Sequence, residues 1–346
     1  MDRYISYKFK LMSLICMILV LYIHSGFRQD EIQGMTSVIS VQIVISGMIG
    51  QLAVPVFFIM SGYLFSRNIM ALKDVLQKMK RRFYSLFIPF VIASMAFLII
   101  YLILDLVPSV NKFVSSPIDF KTLFFNPFNF IYCFFLDAGG GNPLCFQLWF
   151  LRDLIIIVII SPLLYIASSK IGGAIITLLL FAIYCYLQTT HHAFVLSLFW
   201  FMLGYSCFKQ VEKLKSPYWL VLYVALYIVK LSFEDLLSEF GQPTLRLVGV
   251  LGLWSVYDKL VGKSFELSKH KILSYFVAFN FFIYLYHEPS INFFRKIIVI
   301  VIGKNELGYL MSYLLSPLLF TLLAVILGTI LKKYTPRLYS IMVGGR

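Results

Sequence analysis

The sequence predicts an all-α fold, a polytopic integral membrane protein with about ten transmembrane helices, and three observations carry that prediction. Of the 346 residues, 60% are hydrophobic and only 13% are charged, about half the charged share of a soluble domain. So much apolar surface cannot hide behind so few charges unless lipid is the solvent. Tracts of about 20 apolar residues, each long enough to cross a bilayer as a helix, recur along the whole chain. Lysine and arginine gather in the gaps between tracts, dense in every second gap. The alternating polar–apolar segments of a transmembrane β-barrel are missing from the sequence.

The first tract, 9–27, follows Lys8 and Lys10 as a secretory signal would. No small-residue cleavage site comes after it, so it reads as a retained helix. Further helices are expected at 41–65, 83–106, 147–168, 171–188, 193–208, 217–232, 243–260, 272–288 and 308–331. The longest polar stretch runs only from Ser66 to Arg82. The segment 121–136 is apolar and aromatic but short, with Asp119, Lys121 and Asp137 at its ends, so it reads as interfacial or re-entrant. The segment 291–302, behind Pro289, reads the same way. The chain is expected to be one membrane-embedded domain over 1–346, without a soluble domain or a long linker.

Charge sets the orientation. With the N-terminus in the cytoplasm, 21 of the 30 basic residues fall in inside segments and six outside. The other three, Arg152, Lys230 and Arg246, lie within or at the edge of spans. Both termini are then cytoplasmic. The net charge of +14 follows from this topology and does not point to a nucleic-acid partner. The five cysteines form no CxxC pair and show no metal-ligand spacing with histidine, so they read as small apolar residues. A Cys133–Cys145 bridge on the outer side is the one alternative.

Ionisable groups inside membrane helices are costly, so each is a candidate for function. His24 closes the first helix at its outer end, and a near-neutral imidazole suits a general base. An interfacial histidine touching water is the competing reading. Lys10 and Ser13 precede His24 by 14 and 11 positions. At about 100° and 1.5 Å per residue they share its stripe, Lys10 roughly 21 Å below. Arg152 and Asp153 lie one turn beyond Trp149 at the outer start of a helix; they read as oxyanion stabiliser and histidine orienter, or as a structural pair. His287 and Glu288 close the ninth helix on the outer side. Lys78-Met79-Lys80-Arg81-Arg82 is the densest positive run and lies inside. It suits phosphate, anionic lipid or topology alone. Gly139-Gly140-Gly141-Asn142-Pro143 follows no strand and lacks a phosphate-loop lysine, so it carries no nucleotide role.

Val54-Pro55-Val56-Phe57-Phe58-Ile59-Met60-Ser61-Gly62-Tyr63-Leu64 resembles the second-helix signature of the acyltransferase-3 family of bacterial membrane acyltransferases. His24, the basic run before Pro89, the Leu-Trp-Phe-Leu segment at 148–151, and Phe281-Phe282-Ile283-Tyr284-Leu285-Tyr286-His287 follow in the family's order. The resemblance covers essentially the whole chain. It implies ten helices in the bacterial inner membrane and cytoplasmic termini. It also implies transfer of an acyl group, usually acetyl from acetyl-CoA, to a hydroxyl of a cell-envelope sugar. His24 is then the central catalytic residue, helped by Arg152 and Asp153. Lys10, Lys80, Arg81 and Arg82 are the expected donor-binding set, and Trp149, Tyr286, His287 and Glu288 the expected acceptor-binding set. Many members carry Arg or Lys where this chain has Ser13, and Lys10 is the substitute one turn earlier. The expected partners are the bilayer, an acyl-CoA and a glycan or lipid-linked sugar, without a metal; homo-oligomerisation is left open. Succinyl transfer to an exopolysaccharide is the nearest alternative. A transporter of a lipid-linked glycan is the alternative from another class, against which stands the lack of an internal repeat.

Sidedness is directly testable. A cysteine introduced at Gln29 or Ser238 should react with an impermeant thiol reagent on intact spheroplasts, in a background lacking the native cysteines. One at Lys73 or Lys263 should react only after lysis. External labelling at Lys73 would invert the map.

Overall fold

The computed structural model describes residues 2–107, 119–187, 194–207, 214–233, 241–261 and 265–345. These are almost wholly helical, the one β feature being a lone bridge between Gly139 and Asn142. Fourteen helical elements follow in order: α1 (Arg3–His24), α2 (Thr36–Ser66), α3 (Leu72–Leu106), α4 (Phe120–Phe125), α5 (Pro127–Phe135), α6 (Trp149–Ala167) and α7 (Gly173–Leu187). Then come α8 (Phe194–Cys207), α9 (Tyr218–Ser232), α10 (Gly241–Leu260), α11 (Lys271–Tyr286), α12 (Ser290–Ile302), α13 (Glu306–Tyr334) and α14 (Pro336–Met342).

The protein is a multi-pass membrane protein. Among the described residues five stretches are long and apolar enough to cross a bilayer: α1, α2, α3, Phe146–Leu187 and α13. Three shorter apolar helices, α8, α9 and α11, accompany them. As one straight helix the 42 residues of Phe146–Leu187 would run about 63 Å, twice the thickness of a bilayer core. Gly172 breaks the stretch with a φ of +98°, a left-handed conformation that only glycine adopts without strain. Two helices result, α6 and α7.

Several boundaries differ from the sequence expectation, each for a local reason. α3 begins at Leu72 instead of 83, because the Asp74 carboxylate accepts the amides of Met70 and Ala71, both at 2.9 Å, and so caps the helix start. The basic run therefore lies on a helix and its side chains fan over several faces. The segment 121–136 is two short helices. Asn126 separates them by accepting the amides of Phe128 and Asn129, with Pro127 at the first helical position. Segment 291–302 is helical as α12, but its 13 residues span only about 20 Å. All five cysteines are free, so the alternative of a Cys133–Cys145 bridge is corrected. Lys209, Lys213, Ser238 and Lys263 lie outside the described residues.

α1 sits at the centre, packed by α2, α11 and α13. Near its start Lys8 is fully buried and pairs with Asp258 of α10 at 2.7 Å. The same carboxylate accepts the Tyr4 hydroxyl and the Leu214 amide, and the ammonium lies 4.0 Å from the Trp254 ring centre. Lys8 is thus a clamp between α1 and α10, not a charge at the inner interface. At the other end, Ser25 and Tyr22 donate to the carbonyls of Tyr313 and Leu314 in α13. α2 and α8 cross almost backbone to backbone: a Cβ on Gly62 would overlap the Phe201 carbonyl oxygen, and one on Gly204 the Ile59 carbonyl oxygen. Small residues permit such contact in membrane helix pairs.

Replacing Gly62 or Gly204 by valine should therefore destabilise the protein by at least the ~1–3 kcal/mol of core overpacking. The check is thermal unfolding in detergent. Ser61→Ala should leave the transition in place, and an unchanged transition for both valine variants would refute the close crossing.

Candidate active site

The active-site candidate is built from the end of α1 and the break between α11 and α12. α1 stops at His24, whose imidazole projects from the last turn with a side-chain exposure of 21%. α11 ends at Tyr286, and Pro289 terminates the chain direction before α12 starts. This break turns His287 and Glu288 toward the end of α1. The His24 and His287 rings lie 4.8 Å apart between centres. The His24 Nδ1 is 3.8 Å from Glu288 Oε1, an ion-pair separation rather than a hydrogen bond. Phe146 flanks the other side of His24 with ring centres 5.7 Å apart.

Each neighbour is fixed by further contacts. Glu288 Oε2 accepts the Asn292 side-chain amide at 2.7 Å. Arg295 in turn donates to Asn292 at 2.7 Å and reaches Glu31 at 3.8 Å. The Glu288 carboxylate is therefore held on one oxygen, with the other facing His24. His287 is fully buried; its Nδ1 bonds the Tyr284 carbonyl at 2.7 Å, while its Nε2 has no partner. Gln147 donates to the Glu288 carbonyl oxygen at 3.4 Å.

A cavity of about 1260 Å³ runs beside α1. At the α1 start it is lined by Ser6, Tyr7, Lys10, Arg82, Leu267 and Ser268; at the α1 end by His24, Ser46, Gly50, Gln147 and Trp149. Between them stand apolar walls from Phe9, Met17, Val20, Phe57, Phe58 and Leu154. Lys10, Ser13 and His24 share this wall, in agreement with their helical spacing. Asn280 donates to Ser13 at 2.6 Å, and its carbonyl oxygen is buried without a partner.

The structure separates the other expected residues. Of Lys80, Arg81 and Arg82, only Arg82 lines the cavity; Lys80 and Arg81 are exposed. Lys78 instead donates to the carbonyls of Phe65 and Arg67 and ties α3 to the end of α2. Arg152 and Asp153 form a tight unit. Arg152 donates twice to Asp153 Oδ1, at 2.9 and 2.7 Å, and also to the carbonyls of Leu136 and Gly141, at 2.6 and 2.8 Å. Asp153 Oδ2 accepts from Ser197 at 2.6 Å. The pair thus joins α6, α8 and the glycine-rich turn, and the carboxylate next to His24 belongs to Glu288, not Asp153. Trp149 lines the cavity; Tyr286 packs on Phe282, at 4.9 Å between ring centres, with its hydroxyl buried and unpartnered. Among the described residues no three His, Cys, Asp or Glu side chains gather where a metal ion could be held.

Sequence reasoning gave no role to Gln51, Gln147, Asn280 or Arg246, all of which line the cavity. Arg246 alone carried a signal, as a charge within an apolar tract.

The family model described as an acyltransferase domain, acyltransferase-3, matches residues 7–332. No curated protein and no solved structure matches the chain.

The Arg152–Asp153 unit should be principally a fold element. Arg152→Ala would strand a buried carboxylate, at a cost of about 3–5 kcal/mol, and should lower the unfolding temperature in detergent. Arg152→Lys should not restore it, because one ammonium cannot reproduce the planar fork. Full stability of Arg152→Ala with lost activity would place the guanidinium in the chemistry instead.

Proposed function

Because the chain belongs to the acyltransferase-3 family and is thus a membrane acyltransferase, we propose that it moves an acetyl group from cytoplasmic acetyl-CoA to a hydroxyl of a cell-envelope or exported glycan. The observation that carries this reading is a cavity with a basic mouth at Lys10 and Arg82 and, at its far end, His24 backed by Glu288. It exceeds the usual range of roughly 300–1,000 Å³ for small-ligand pockets. Its elongated, mostly apolar form suits a donor with phosphates at one end and a reactive thioester at the other. In this reading ten helices cross the inner membrane with both termini cytoplasmic, supported by the partition of the basic residues.

The phosphates of the donor bind at Lys10 and Arg82, where cation and phosphate form charge-assisted bonds. The pantetheine arm passes along α1, and its amides meet Ser13 and Asn280. The thioester carbonyl stops beside His24. Glu288 takes the Nδ1 proton as its hydrogen-bond partner and so leaves the Nε2 lone pair free to act as base. The 3.8 Å separation shortens as substrate closes the site, as catalytic hydrogen bonds commonly do. The acceptor hydroxyl loses its proton to His24 as its oxygen attacks the thioester carbon. The C–S bond then breaks, and His24 returns the proton to the leaving thiolate, so that CoA-SH and the ester are the products. Trp149 and Gln147, at the outer end of the cavity, contact the acceptor.

The 3.8 Å contact supports Glu288 rather than Asp153 as the carboxylate partner of His24 in this reading. The cavity lining supports Lys10 and Arg82 as its cationic set. His24→Ala should remove acyl transfer and the slower hydrolysis of acetyl-CoA by protein in nanodiscs, while insertion is preserved. Arg82→Ala should raise the donor KM about tenfold, the value of one charge-assisted bond, and Arg81→Ala should leave it unchanged. Transfer by His24→Ala above a tenth of wild type would overturn the mechanism. Equal effects at Arg81 and Arg82 would return the basic run to topology alone.

A further inference from the structure

Arg246 is the second charge at the outer end of the cavity, and the mechanism above does not use it. It lies on α10 and shares the cavity wall with Gln51 and His24. Its Nε and Nη2 donate to Gln51 Oε1 at 3.4 and 3.3 Å, and its Nη1 to the Tyr184 hydroxyl at 3.2 Å. Both acceptors are neutral and all three bonds are long. No carboxylate among the described residues pairs with it. This contrasts with the other deep cations: Lys8 is closed by Asp258, and Arg152 by Asp153. The ammonium of Lys230 on α9 is near enough to add to the same positive field, and it lies over the Tyr227 ring.

A guanidinium that lines an interior cavity with only weak neutral partners among the described residues is costly unless an anion meets it. Its planar fork matches a carboxylate or phosphate on two parallel bonds. Among the described residues two of its five N–H groups take part in no bond, and the Gln51 amide nitrogen supplies a further donor beside them. Beyond the carbonyl that stops beside His24, an acetyl group has only a methyl, which gives it no anionic group of its own for this charge. Resting on the proposed acyl-CoA site, we infer that Arg246 and Gln51 form a subsite for an anionic oxygen group of one reactant, a carboxylate or phosphate. The carrier is either the acyl chain of the donor, as a terminal carboxylate, or the acceptor, as a phosphate of a lipid-linked sugar.

Phenylglyoxal modification of arginines, read residue by residue by mass spectrometry on protein in nanodiscs, separates these cases and needs no turnover. CoA should slow modification of Arg82, which reads the donor site alone. If the donor carries the anion, succinyl-CoA and free succinate should slow modification of Arg246 about tenfold, and acetyl-CoA should not. If the acceptor carries it, inorganic pyrophosphate should slow Arg246 by a similar factor, with succinyl-CoA and acetyl-CoA alike. Gln51→Ala should weaken either protection, while CoA protection of Arg82 persists. Arg246 modified at one rate with succinate, succinyl-CoA and pyrophosphate would overturn the subsite. Loss of Arg82 protection by CoA, with Arg246 still protected by succinate or pyrophosphate, would instead overturn the donor reading and keep the subsite.

Discussion

The burial of α1 is the constraint on which the rest of the arrangement depends. A first helix in a membrane protein can face lipid along much of its length, but here α2, α11 and α13 surround it. Ten of its 22 residues are buried, Lys8 among them. Burying that ammonium demands a paired carboxylate, which fixes α10 against the start of α1 through Asp258. The end of α1 is fixed by Tyr22 and Ser25 on α13. With both ends held, His24 has little freedom, and the break after α11 delivers Glu288 to it.

The same constraint produces the cavity. α1 leans on apolar neighbours over most faces, yet along the stripe of Lys10, Ser13 and His24 its neighbours stand back. Polar side chains on that stripe would be expensive against lipid and are tolerated because they face an interior space. The close crossing at Gly62 and Gly204 draws α8 onto α2 and brings Trp200 and Phe201 into the cavity wall. Gly62 belongs to the Ser61-Gly62-Tyr63 segment, so this part of the family signature has a packing reason. The Arg152 unit does comparable work on the outer side, where it anchors the turn at 136–141 to α6.

Much of this was legible in the sequence. Apolar tract length and basic clustering gave the helical membrane class, and simple helical spacing put Lys10, Ser13 and His24 on one face. His24, His287 and Glu288 stood out as polar residues at the ends of apolar runs. The partner choices were not legible. Asp153 and Glu288 look equivalent in sequence, and only three-dimensional packing shows one carboxylate closed by Arg152 and Ser197 and the other open toward His24. The basic run also could not be resolved into its members until the Asp74 cap showed it to be helical. Lys80 and Arg81 then turn away while Arg82 turns in. Neutral residues such as Gln51 and Asn280 carry no distinguishing signal in one sequence, because their importance comes from the cavity they face.

In the proposed mechanism one continuous cavity carries the donor from the basic mouth to His24. A cryo-electron microscopy structure with a thioether analogue of acetyl-CoA, in which the C–S bond cannot be cleaved by transfer, tests this most directly. Nucleotide phosphates should lie beside Lys10 and Arg82, the arm along Ser13 and Asn280, and the analogue's carbonyl in contact with His24. Density for the analogue outside this cavity, or with its phosphates at the His24 end, would contradict it.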